Sequence, residues 1–249
     1  MAEETVADYD IRSPASRTFL TVVGTLVVVV VVAGLVIGAS ILMRETKVST
    51  SVVDLGDSGQ IIVDATSADI TVREGDADVV KLVAKVTSGV RKTSYRLGRR
   101  GDVIKAESGC QSWLSPGCGV SIVLEVPKGL PLVVNTASGD IRAGDIQEGV
   151  LTVSSSSGDV KVDGLSVDEF SAQTGSGDIS AVFADQPFAF KATTDDGDIM
   201  ASIPTGRRTY DITARSKSGT VASTMDSDKN GEGFIRATTG SGNIRLSPS

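Results

Sequence analysis

The sequence predicts an all-β fold, a β-solenoid of the single-stranded β-helix kind, preceded by one transmembrane α-helix. Three observations predict it. A four-residue corner, S-G-D-[IV] or a close variant, recurs six times, with spacings of 19, 19, 20, 22 and 23 residues. Stretches of alternating apolar and polar residues flank each corner, the pattern of strands with one buried face. A single run, Phe19 to Met43, holds 25 residues without a charge, and helical periodicity is absent elsewhere.

Residues 1–18 form a short polar tail. It carries Arg12, Arg17, Pro14 and four acids, and it has no apolar pattern on which to fold alone. The run 19–43 follows. At about 1.5 Å per helical residue it is long enough for a hydrocarbon core of roughly 30 Å. It exceeds the roughly 7–15 residues of a signal-peptide core, and no small-x-small cleavage site follows it, so it reads as an uncleaved anchor. Arg12 and Arg17 on one flank balance Arg44 and Lys47 on the other, so charge alone sets no orientation. The tail cannot fold, and both cysteines lie beyond the run. These facts place the tail in the cytoplasm and residues 44–249 outside the cell membrane. Gly34 and Gly38 make a small-xxx-small pair on one helix face, a candidate surface for a homodimer or another membrane protein.

Residues 44–119 read as an N-terminal β region or cap. Alternation marks strands at Ile61-Val63, Ile70-Val72, Val80-Leu82-Ala84-Val86, Tyr95-Leu97 and Val103-Lys105. A cap is physically sensible, because an open solenoid end exposes unpaired strand edges. The hairpin near Gly98 to Gly101 is surrounded by Arg91, Lys92, Arg96, Arg99, Arg100 and Lys105. It reads as a solvated hairpin whose charges protect an edge, with anionic lipid or wall polymer as the alternative. Arg100-Gly101-Asp102 is ordinary turn chemistry. Cys110 and Cys118 bracket Trp113, Pro116 and Gly117, and in an oxidising compartment they read as a disulfide.

Residues 120–249 hold the solenoid repeats. The corners are Gly139-Asp140, Gly158-Asp159, Gly177-Asp178, Gly197-Asp198, Gly219-Thr220 and Gly242-Asn243, with a degenerate copy at Ser67-Ala68-Asp69-Ile70. Glycine admits a sharp bend or a positive φ, and the neighbouring Ser and Asp can bond nearby amides. Stacked at about 4.8 Å, six coils would make a rod of about 29 Å. Its narrow interior of Ile, Val, Ala, Leu and Phe suits a chain with 4% aromatic residues. Stacked carboxylates at Asp140, Asp159, Asp178 and Asp198 could in principle bind calcium or act on a glycan. The column ends in Thr220 and Asn243, however, which suits turn formers better than ligands. The polar segment 226–233 lengthens the last spacing.

Val126 to Ile141 reads V-P-x-G-x-x-L-x-V-x-T-x-S-G-D-I, and S-G-D-[IV] corners follow it. This pattern resembles the bacterial putative-adhesin family, a domain of unknown function with β-strand repeats. The resemblance is good over 120–249 and weaker over 50–119. It implies a β-solenoid at the cell surface or anchored in a membrane, in some members near envelope-stress systems. It supplies no catalytic or binding residues to transfer.

The chain contains no histidine. Ser-His-Asp and Cys-His mechanisms and imidazole-dependent zinc sites are therefore closed to it in cis. A net charge of −7 argues against nucleic acid as a partner. The sequence thus points to a non-catalytic surface scaffold, adhesin-like or envelope-associated, without cofactor or metal. Its partner would be a protein or a glycan. Two rivals remain: a glycan-active β-helix enzyme using corner aspartates, and an accessory or sensor subunit of a membrane complex.

Overall fold

The computed structural model describes residues 14–42, 45–76, 78–88, 94–100, 103–109 and 119–249. The Cys110–Cys118 pair, Trp113, Arg91, Lys92 and the Gly101-Asp102 half of the turn lie outside the described residues. The chain opens with α1 (Pro14–Leu42). The side chains described for 22–35 are exposed, among them Val22, Leu26, Val27 to Val32 and Leu35. Among the described residues no helix is long and apolar enough to cross a membrane.

The remainder is strand. The irregular part holds β1 (Glu45–Asp54), β2 (Gln60–Ala65), β3 (Asp69–Glu74), β4 (Val79–Ser88), β5 (Ser94–Arg100), β6 (Val103–Gly109) and β7 (Gly119–Val126). The repeats follow in pairs, first β8 (Leu132–Ser138) with β9 (Ile141–Gly144) and β10 (Val150–Ser157) with β11 (Val160–Leu165). Next come β12 (Glu169–Ser176) with β13 (Ile179–Phe183) and β14 (Ala189–Asp196) with β15 (Ile199–Ile203). The last are β16 (Tyr210–Ser218) with β17 (Val221–Ser223) and β18 (Gly233–Ser241) with β19 (Ile244–Pro248).

Within each pair the first strand joins a nine-stranded sheet and the second a ten-stranded sheet. The glycine corner carries the chain from one to the other. Burial alternates along the strands, as in β10 and β13. The inward residues of both sheets fill one continuous core, from Ile61 and Ile70 to Ile235 and Leu246. Corresponding strands pair in parallel and in register, so Leu132, Leu151, Phe170, Phe190 and Ile235 form one buried row. Three rings fill the middle coils: Phe170 stacks on Phe190, and Phe183 meets both edge-on, each at 5.8 Å.

The coils do not stack in chain order at either end. The order in the ten-stranded sheet is β1-β4-β7-β3-β9-β11-β13-β15-β19-β17. The final pair β18/β19 is thus inserted between β14/β15 and β16/β17. At the other end β2/β3 lies between β6/β7 and β8/β9. The six repeats therefore stack out of chain order. The physical reason lies in what each coil can bury. Ile235, Ala237, Ile244 and Leu246 are all buried, and an inner coil covers such groups on both sides. After the buried Tyr210 at its start, the β16/β17 coil has half-buried Ile212 and Ala214, and its three-residue β17 is wholly exposed. It is the better end piece, since a short edge strand offers little template for further pairing. At the N-terminal end three antiparallel strands are added: β4 on β7, β1 on β4 and β5 on β6. Tyr95 of β5 donates a hydrogen bond to Ser49 Oγ of β1, drawing the two sheets together there.

Candidate functional site

The corners are built first by glycine. Gly139, Gly158, Gly177, Gly197, Gly219 and Gly242 all have φ between 129° and 158°. A Cβ on Gly177 would collide with the carbonyl of Gly158, and the same holds from coil to coil along the stack. Gly219 abuts Gly242 and Gly242 abuts Gly197, which repeats the swapped order. Ala68 stands where the other coils have glycine. The coil on its far side is β6/β7.

Two ladders then lock the corners. The backbone N–H of Asp140 donates to Asp69 Oδ1, Asp159 N–H to Asp140 Oδ1, Asp178 N–H to Asp159 Oδ1 and Asp198 N–H to Asp178 Oδ1, at 2.8–3.1 Å. Asn243 and Thr220 continue the series. Each corner carboxylate is thus occupied in tying one coil to the next. The second ladder is a hydroxyl three residues before each glycine. Thr174 donates to the Gly158 carbonyl at 3.0 Å, Thr194 to Gly177 at 3.1 Å, Thr239 to Gly197 at 2.9 Å and Ser216 to Gly242 at 2.8 Å. Buried hydroxyls need partners, and the corner carbonyls supply them. Ser108 occupies the equivalent register in β6, opposite Ala65. Its buried Oγ has no partner among the described residues. Among those residues no group of three or more Asp, Glu or Cys is placed to hold a metal ion.

A different set of residues forms a concavity on one sheet face. An open cleft of about 740 Å³ lies against the nine-stranded sheet, near its N-terminal end. Five of its lining residues stand in one register row across five strands: Arg96, Glu107, Asp64, Asn135 and Ser154. At about 4.8 Å per strand the row spans roughly 19 Å. Asn135 Nδ2 donates to Asp64 Oδ1 at 2.9 Å, and Lys105 bridges Asp64 at 3.1 Å and Glu107 at 3.0 Å. Burial alone would push the Asp64 carboxyl up. The hydrogen bonds from Asn135 and Lys105, with the lysine's charge, outweigh it and hold the group below the usual range. The hydrogen bond from Lys105 likewise holds Glu107 low, and Glu107 and then Asp64 raise Lys105.

The row therefore offers fixed donors and acceptors to a polar surface. It holds no carboxylic acid poised to give up a proton near neutral pH, which a glycosidase requires. The row mixes residues from both halves of the chain. Alternation marks each as an outward position, but nothing local to it gives the register that aligns them.

The network predicts a pH response. Asp64 and Glu107 have lowered folded-state pKa values. Their contribution to stability is complete above the ordinary carboxylate range and is lost as pH falls through their lowered folded values. Acid titration followed by circular dichroism should show Asp64→Asn flattening the acid-side loss of stability. An unchanged acid limb would show that the network carries none of it.

Residues 128–247 match the family model described as Toastrack DUF4097. The chain carries a Toastrack DUF4097 domain. Its glycine ladder, hydroxyl ladder and aspartate column all fall mainly within that domain, and the cleft straddles its N-terminal side. No curated protein matches the chain. Among solved structures, it is similar to one described as a putative cell adhesion protein from Clostridium sporogenes. The identity is 11% and the TM-score 0.52, over 82% of this chain and 100% of that one. It is also similar to one described as a putative adhesin from Bacteroides fragilis, at 12% identity and a TM-score of 0.44, over 82% and 97% of the two chains. The first likeness shows that the mostly β, two-sheet fold extends beyond the Toastrack domain into the N-terminal strands.

Proposed function

We propose that the chain is a single-pass membrane-anchored surface module. Residues 1–18 face the cytoplasm, 19–43 cross the membrane, and the β-solenoid stands outside as a non-catalytic scaffold. The observation that carries the reading is the join between α1 and β1. Residues 19–42 of the uncharged run lie in a 29-residue helix whose described side chains are apolar, small or Thr25 and face outward. A helix that is apolar all round belongs in a membrane or inside a protein, and no described side chain of α1 is buried in this one. Two residues after α1, β1 begins the β region. The corner aspartates are engaged in the carboxylate column, and Asp64 and Glu107 in the Lys105 network, which favours presentation of a rigid surface over catalysis. The row from Arg96 to Ser154 is the surface offered to a protein or glycan partner. The description of the Clostridium sporogenes protein as a cell adhesion protein agrees with such a role. On the helix, Gly34 and Gly38 stand open with nothing within 4 Å of a built Cβ, leaving that face free for another membrane protein.

The test is fractionation of cells expressing the full chain, followed by labelling with a membrane-impermeant amine reagent. The chain should stay with membranes after an alkaline wash. The exposed Lys161 and Lys191 should be labelled on intact cells. Release by the wash, or labelling only after lysis, would overturn the reading.

A further inference from the structure

We propose that β1 is a homodimer interface, in which two copies pair their β1 edges antiparallel about a two-fold axis at Thr50. The two ten-stranded sheets then become one. This does not depend on α1 crossing a membrane.

The argument begins with which way the β1 backbone points. β1 and β4 pair antiparallel with one unbroken register, Glu45↔Ser88 to Asp54↔Val79. One residue further, the Leu55 N–H donates to the Asp78 carbonyl at 2.8 Å. In an antiparallel ladder the hydrogen-bonded residues alternate. The odd-numbered residues of β1 therefore aim their N–H and C=O groups at β4. The even-numbered ones, 46, 48, 50, 52 and 54, aim theirs at the free edge. No described strand pairs with that edge. The strand is ten residues long and has neither a proline nor a bulge. The opposite end of the same sheet is guarded by a three-residue strand. An edge of this length and regularity is a template for another strand.

The side chains agree. The even positions are all exposed, whereas Ser49, Ser51 and Val53 are half-buried, and Ser49 meets Tyr95. Val48 is 66% and Val52 54% exposed, the two most exposed large apolar side chains outside α1 among the described residues. A two-fold axis normal to the sheet keeps every residue on its own face, so each must oppose a residue of the same parity. With Thr50 opposite Thr50, Val48 faces Val52 of the second copy, and Val52 faces Val48 of the second copy. Thr46 faces Asp54 at both ends. All five even positions then exchange hydrogen bonds, and both valines gain an apolar cross-strand partner. An axis at Val48 would set Val52 against Arg44, and one at Val52 would set Val48 against Gly56. The axis at Thr50 alone pairs both valines and uses the whole strand. The result is an isologous, closed contact. In it the two copies of Glu45 lie five residues either side of the axis, about 34 Å apart at roughly 3.4 Å per residue. The pairing therefore does not draw on Gly34 and Gly38.

The experiment is cysteine cross-linking of the full chain, with the unaltered chain as control for Cys110 and Cys118. A hydrogen-bonded antiparallel pair sets Cα atoms about 5.5 Å apart, inside the disulfide range of about 4.4–6.8 Å. Under mild oxidation Thr50→Cys should give at least tenfold more reducible dimer than the unaltered chain or the inward-facing Ser51→Cys. Val48→Cys and Val52→Cys should each fail alone and cross-link when co-expressed. Adding Val48→Lys and Val52→Lys to Thr50→Cys should cut the dimer at least fivefold with the circular dichroism unchanged. Adding Gly34→Ile and Gly38→Ile should leave the yield as it was. A Thr50→Cys yield no higher than Ser51→Cys would overturn the proposal. So would self-linking by Val48→Cys as strong as the mixture, a dimer indifferent to the two lysines, or one lost with the helix glycines.

Discussion

Phe170→Ala is expected to destabilise the solenoid by about 4 kcal/mol. Phe170 sits in β12, in the middle of the stack, and is 1% exposed. Its ring lies 5.8 Å from those of both Phe190 and Phe183. Removing it forfeits apolar burial and two aromatic contacts. It also leaves a cavity, because the neighbouring coils are held at fixed spacing by parallel ladders and cannot close in. Sites that cannot relax fall at the costly end of large-to-small substitutions. Urea unfolding followed by circular dichroism measures it, with the midpoint falling and the slope unchanged. Phe188→Ala is the comparison. That ring is 44% exposed, and its loss should cost about 1 kcal/mol or less. Equal losses for the two would mean that the ring cluster is not a core.

Gly177→Ala is expected to cost about 3 kcal/mol. Two effects add. Gly177 has φ of 147°, a region that a residue with a Cβ rarely occupies. The new methyl would also lie 2.6 Å from the carbonyl carbon of Gly158. The obstacle is backbone, itself fixed by the Thr174 hydroxyl and the ladder between coils, so nothing flexible can give way. Gly144→Ala separates this from a general effect of losing glycine. Its nearest neighbour would be the Asp163 carbonyl at 4.0 Å, and its φ is not positive. It should fall within about 0.5 kcal/mol of the unaltered protein. The same unfolding measurement decides, and a Gly177→Ala cost below about 1 kcal/mol would remove the ladder as a stabilising element.

Much of this was legible in the residues. Alternation around Leu151-Val153-Ser155 and its counterparts sets which side chains face inward, because the period of two is local to each strand. The repeated glycine marks the corner, because few other residues bend there. Even the degenerate Ser67-Ala68-Asp69 copy announces a coil, and Asp69 begins the carboxylate column. The hydroxyl ladder could have been read from Thr136, Ser155, Thr174, Thr194, Ser216 and Thr239, each three residues before a glycine. Its purpose could not, since each hydroxyl bonds to a different coil. The row from Arg96 to Ser154 was less legible still. Its members come from five strands, and the spacing between them in sequence, such as 71 residues from Asp64 to Asn135, carries no register.

By itself the sequence determined the strand class, the inward and outward faces, the corners and the apolar helical run. All of these follow from neighbours a few residues apart. The tertiary structure alone decided which coil lies beside which. The S-G-D corners are nearly interchangeable, so any coil can stack on any other. The loops 204–209 and 224–232 are long enough to pass over a coil. Under those conditions the order is set by how much apolar surface each coil can cover on both sides. That choice places β18/β19 inside, leaves the short β17 at one end, and leaves the long free edge of β1 at the other.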